Sequence, residues 1–62
     1  MSVSITVEVQ NDHQLIVYAR KNSKLRIIPD VNAIEWSNYK RGSIKLSDVN
    51  IPEEDKKWLQ ND

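Results

Sequence analysis

Val3-Ser4-Ile5-Thr6-Val7-Glu8-Val9 alternates apolar and polar residues without a break, and Leu15-Ile16-Val17-Tyr18-Ala19-Arg20 follows after a polar interval. Successive side chains of a strand point to opposite faces. The first stretch therefore describes a strand with Val3, Ile5, Val7 and Val9 on one side and Ser4, Thr6 and Glu8 on the other. The connection decides how the two strands face each other. A two-residue turn at Asn11-Asp12 would set Val9 against Gln14 and Glu8 against Leu15, apolar against polar on both faces. An odd loop, residues 11–13, instead pairs Val9 with Leu15, Val7 with Val17 and Ile5 with Ala19, giving one coherent core face. The same criterion applied to residues 21–23 selects another odd loop, with Ala19 against Leu25 and Val17 against Ile27 in the core. Strands over residues 3–9, 14–20 and 24–28 then form a meander.

Pro29 and Asp30 stop the third strand. Ile34 and Trp36 alternate in a short fourth strand, residues 33–36, and a polar loop over residues 37–42 leads to a fifth, residues 43–47, with Ile44 and Leu46 facing inward. Asn50, three residues before Glu53, has capping-box spacing. Pro52 and the acids Glu53, Glu54 and Asp55 follow, then Lys56 and Lys57, an order of charges that complements a helix dipole. The spacing predicts a helix over residues 52–60, with Ile51, Trp58 and Leu59 on one stripe. The expectation is a single, mostly β domain over residues 1–62: a small five-stranded antiparallel barrel or open sheet, SH3-like or OB-like, with a short C-terminal helix as its lid. A Gly42-bearing hairpin followed by an acidic N-capped helix resembles the layout of the small archaeal chromatin proteins. That likeness implies a nucleic-acid-binding barrel, although those proteins are strongly basic and this chain has a net charge of zero.

Composition bounds the rest. A chain of 62 residues supports one core. Thirteen Val and Ile against four Leu and two Ala favour strands over helices. With one glycine, tight turns must rest on Asn and Asp. The lack of cysteine excludes disulfides, thiolate metal sites and thiol nucleophiles and fits a reducing, cytoplasmic setting. The longest apolar run, residues 15–19, is far too short for a membrane span.

The same residues argue against catalysis. His13 stands alone in a turn beside Asp12, with no partners for metal binding or base catalysis. A single glycine cannot build a phosphate loop. The acids 53–55 are accounted for by the helix dipole. The chain therefore reads as a non-enzyme with no catalytic, cofactor or metal residues.

Charge is uneven: residues 20–26 carry four positive charges and residues 40–46 three, between acidic flanks. In the register above, the face opposite the core holds Thr6, Tyr18 and Arg26 in one row and Ser4, Arg20 and Lys24 in the next. A ring among cations suits phosphate neutralisation and base stacking. Tyr39, Lys40 and Arg41 repeat the combination, with Trp36 half exposed beside them. The plainer alternative is a Tyr18–Arg26 cation–π pair on a solubilising face. Ile16 and Ile28, directly opposite one another on that face, are the candidates for self-association into a homodimer.

Three functional expectations follow. The first is a small binding or regulatory module acting through the sheet face and residues 37–42 on a protein partner or on itself, and not on a membrane. The second is a nucleic-acid-binding barrel using Tyr18, Arg20, Lys24, Arg26, Tyr39, Lys40 and Arg41. The third is a small inhibitor or adaptor of a larger enzyme, of the kind mobile genetic elements encode.

Overall fold

In a computed structural model that describes residues 3–60, β1 (Ser4–Val9), β2 (Gln14–Lys21) and β3 (Lys24–Asn32) form an antiparallel sheet in the order β1-β2-β3. The helices α1 (Ala33–Arg41) and α2 (Glu53–Gln60), joined through a 3-10 turn at Leu46–Asp48, cover one side of it. The sheet is open. Of the two expected forms, barrel or open sheet, it takes the second, with three strands among the described residues instead of five.

The first hairpin has the expected register: Ile5 faces Ala19, Val7 faces Val17 and Val9 faces Leu15. The Gln10 N–H donates to the Gln14 carbonyl at 2.9 Å, which leaves residues 11–13 as the loop. There the Asn11 side chain accepts from the His13 N–H at 2.9 Å, the local bond by which Asn stabilises a turn. His13 serves that turn and accepts at its own carbonyl from the Ala33 N–H at 2.9 Å.

The second hairpin departs from expectation. Lys21 faces Lys24 across a two-residue turn, and Asn22 and Ser23 adopt left-handed φ angles of 51° and 69°. Two consecutive left-handed residues make the kind of turn whose twist matches that of the flanking strands, and this preference overrides the apolar matching that favoured a three-residue loop. The shift by one residue inverts β3. Ala19 now faces Arg26, Tyr18 faces Ile27 and Val17 faces Ile28. Ile28 is buried, so it cannot form the outward pair with Ile16, and Leu25 and Ile27 point away from the core. A bulge then restores the alternation: Asp30 takes φ 61°, and Leu15 faces Val31. Gln10 pins this bulge from both ends, donating from Nε2 to Asp30 Oδ1 at 2.7 Å and accepting from the Asp30 N–H at 3.0 Å.

Residues 33–36, expected as a strand, begin a helix. The Asn32 side chain accepts from the Glu35 N–H at 2.9 Å, and Gly42 ends the helix at φ 90°, with the Ser43 N–H donating to the Asn38 carbonyl at 2.8 Å. These are N-cap and glycine C-cap arrangements that satisfy the free backbone groups at each end. Gly42 therefore closes a helix and does not belong to a hairpin, which removes the layout shared with the archaeal chromatin proteins. Trp36, expected half exposed, is buried, and Tyr39 packs beside it with ring centroids 5.2 Å apart. Residues 43–47 are not a strand, yet Leu46 is buried and Ile44 partly so, as their apolar character implied.

The C-terminal helix forms where expected and lies on the sheet instead of plugging a barrel. Asp55 and Leu59, four residues apart on it, are buried, as is Ile51 just before it. The capping box expected between Asn50 and Glu53 is replaced by a tertiary bond, the Asn50 N–H donating to Glu35 Oε1 at 3.0 Å. The core is thus Val17, Ala19, Ile28 and Val31 from the sheet, Trp36 from α1, Leu46, Val49 and Ile51 from the connecting segment, and Leu59 from α2.

Candidate functional site

The inverted register of β3 decides which side chains the open face carries. Where Arg26 was expected beside Thr6 and Tyr18, Ile27 completes the row; where Lys24 was expected beside Ser4 and Arg20, Leu25 stands. Each row has exchanged a cation for an aliphatic side chain. Leu25 and Ile27 are 49% and 54% exposed, and Ile16 and Tyr18 lie half-buried beside them. Ser4, Thr6, Tyr18, Arg20 and Leu25 line a shallow depression of about 350 Å³.

The polar part of this face is Ser4, Thr6, Glu8, Arg20 and the Tyr18 hydroxyl. Tyr18 donates its hydroxyl to Glu8 Oε1 at 2.7 Å across the β1–β2 pair. That bond, together with partial desolvation and the carboxylate's charge, holds the phenol above its ordinary pKa of 10.0. Glu8 is thereby bound to the ring expected to stack on bases, and Arg20 is the one cation left in these rows. An aliphatic strip of Ile16, Leu25 and Ile27 thus lies beside polar β1 residues, and the charges of these rows, Glu8 and Arg20, balance.

Arg26 lies on the helix side. It binds Asp55 through Nε and Glu54 through Nη2, the latter at 3.4 Å. Its guanidinium is held further toward the charged form by the hydrogen bond to Asp55, less what burial takes away. Asp55 is 7% exposed, so the inward Arg26 meets a carboxylate withdrawn from water. The acids of the first helical turn, attributed above to dipole and capping, therefore also serve a tertiary ion pair. Opposite Arg26, the small Ala19 leaves room for Trp58, whose indole N–H reaches the Ala19 carbonyl at 3.3 Å. The ring is half-buried, with Lys21 Nζ 4.9 Å and Arg26 Cζ 5.9 Å from its centroid. Lys21, Asn22, Lys24, Glu54, Lys57 and Trp58 border a second recess of about 370 Å³.

With Trp36 and Ile28 in the core and Tyr39 packed against it, the other candidate residues fall in three places. Tyr18 and Arg20 share the open face with Ile16. Lys24 and Arg26 stand on the helix side with Trp58. Lys40 and Arg41 are exposed on the last turn of α1, where Arg41 donates to the Ser37 hydroxyl at 3.3 Å. Residues 37–42, read as a loop, are the end of that helix and its cap. The sequence reading missed Leu25, Ile27 and the Trp58 recess. The signal for all three was Asn22-Ser23 as a two-residue turn, because the direction of every β3 side chain depends on it.

Among the described residues, no group of three His, Asp or Glu side chains is placed to hold a metal ion, and no helix is long and apolar enough to cross a membrane. Comparison with protein-family models, with curated proteins and with solved structures returns no match.

Proposed function

We propose that this chain is a non-enzymatic binding module whose working surface is the open face of the sheet and whose partner is a protein with an apolar, weakly charged surface. One observation carries the reading: Leu25 and Ile27 stand about half exposed side by side, next to Ile16 and Tyr18, on a face that neither helix covers. Contiguous apolar residues of this kind on a small domain mark interaction surfaces, and aromatic anchors such as Tyr18 are favoured within them. An inhibitor or adaptor of a larger enzyme is one form such a module takes. A nucleic-acid reading draws support from a different place, the lysines 21, 24 and 57 around Trp58.

The test is differential capture on immobilised protein. Proteins retained by the wild type should be lost with Ile27→Lys and kept with the double variant Lys40→Glu, Arg41→Glu. Retention that ignores Ile27→Lys would refute the face assignment. Oligonucleotide binding at low salt that falls steeply as salt is raised, and that disappears in Lys24→Glu, would favour the nucleic-acid reading instead.

A further inference from the structure

The edge of the sheet carries a separate message. Among the described residues, β1 has β2 on one side and no strand on the other. It pairs with β2 over its whole length without a bulge, and of the usual means of protecting an edge, Pro and charged side chains, its six residues include only Glu8. The Gln10 N–H points at β2, so the alternation of antiparallel pairing gives the even residues to β2. The backbone N–H and C=O groups of Ile5, Val7 and Val9 then face the open edge. The same residues direct their side chains to the helix side, yet the helices stop short: Val7 is 48% and Val9 73% exposed.

The geometry points to a second copy of this chain as the occupant of that edge, added antiparallel about a two-fold axis through Val7. In this register Val7 faces its own counterpart, Ile5 faces the second copy's Val9, and Glu8 faces Thr6. Each of the three edge-facing residues gives one backbone hydrogen bond and accepts one. The pattern is self-complementary. The exposed valines cover one another on the helix side, and the single charge of the strand meets a hydroxyl, not its own kind. Shifting the axis to Thr6 would pair Ile5 with Val7 and set Val9 against Val3, which lies outside the strand, so that fewer edge groups within Ser4–Val9 are used. The chain's net charge of zero sets no overall repulsion against pairing. The resulting six-stranded sheet leaves the face of Leu25 and Ile27 open, so self-pairing and partner binding use different surfaces.

Sedimentation velocity over a wide concentration range tests this on the full chain. The wild type should move from one chain mass toward two as concentration rises. Val7→Pro removes an N–H that β2 does not use and should weaken the dimer by at least about tenfold, with circular dichroism unchanged at concentrations where both proteins are monomeric. Val7→Lys places a charge against its own counterpart and should have the same effect, which covers the case that proline disturbs the strand. A wild type that stays monomeric throughout overturns the proposal. So does a dimer that survives in both folded variants, or one abolished by Ile27→Lys and untouched by Val7→Lys, which would move the contact to the open face.

Discussion

Ser23→Gly is expected to stabilise the protein, and the size of the effect follows from the turn. Ser23 is exposed and holds φ 69°, beside Asn22 at 51°. Asn tolerates that conformation better than most residues; serine has no such advantage. A non-glycine residue in the left-handed region costs roughly 1–2 kcal/mol. Glycine removes this cost and returns about 0.4–1 kcal/mol as extra freedom of the unfolded chain. The balance favours the variant by about 0.5–1 kcal/mol. A domain of this size gains about 4–8 °C per kcal/mol, so thermal unfolding followed by circular dichroism should shift up by about 2–8 °C. Asp30→Gly is the control. Asp30 also has a left-handed φ, 61°, but its side chain accepts from Gln10 at 2.7 Å, and losing that bond should cancel the gain. A lower midpoint for Ser23→Gly would refute the two-residue turn and with it the inverted register of β3, and a rise for Asp30→Gly as large as that for Ser23→Gly would refute the stabilising bond from Gln10.

Other expectations rest on separate contacts. Asn32→Ala removes the cap that accepts from the Glu35 N–H and should cost about 1 kcal/mol in denaturant unfolding, with Asn32→Asp nearly neutral. The Tyr18 phenol, raised by its bond to Glu8, should titrate above 10.0 in an NMR pH series and return toward that value in Glu8→Gln. A folded-state pKa above the unfolded one means that this contribution to stability is complete below the unfolded value and is lost as pH rises through the folded value. The wild type should therefore lose stability in the alkaline range more steeply than Tyr18→Phe.

Much of the fold was legible wherever one local rule acted alone. The β1–β2 register follows from alternation because the two-residue turn put polar against apolar side chains on both faces, whereas the three-residue loop matched them. The terminal helix follows from its charge order and the spacing of Ile51 and Leu59. Legibility failed where two rules conflicted. At Asn22-Ser23, backbone turn preference opposed apolar matching, and matching alone could not foresee that an inward Arg26 would find Asp55 and Glu54 on a helix thirty residues away. At residues 32–42, Ile34 and Trp36 fit a strand period, while Asn32 with Glu35 at one end and Gly42 at the other are helix boundary signals; the caps decided, and Ile34 was left exposed. The candidate surface inherited the first error, since Tyr18 and Arg20 were correctly set outward and their neighbours on β3 were not.

The inward and outward sides of β3 can be read directly by comparing two adjacent alanine substitutions in chemical unfolding. Ile28 is buried and faces Val17, so Ile28→Ala should cost about 2–5 kcal/mol, whereas Ile27→Ala, at an exposed position, should cost less than about 1 kcal/mol. The reverse order, with Ile27→Ala the damaging change, would put Arg26 back among the outward residues and remove the apolar face on which the proposed function depends.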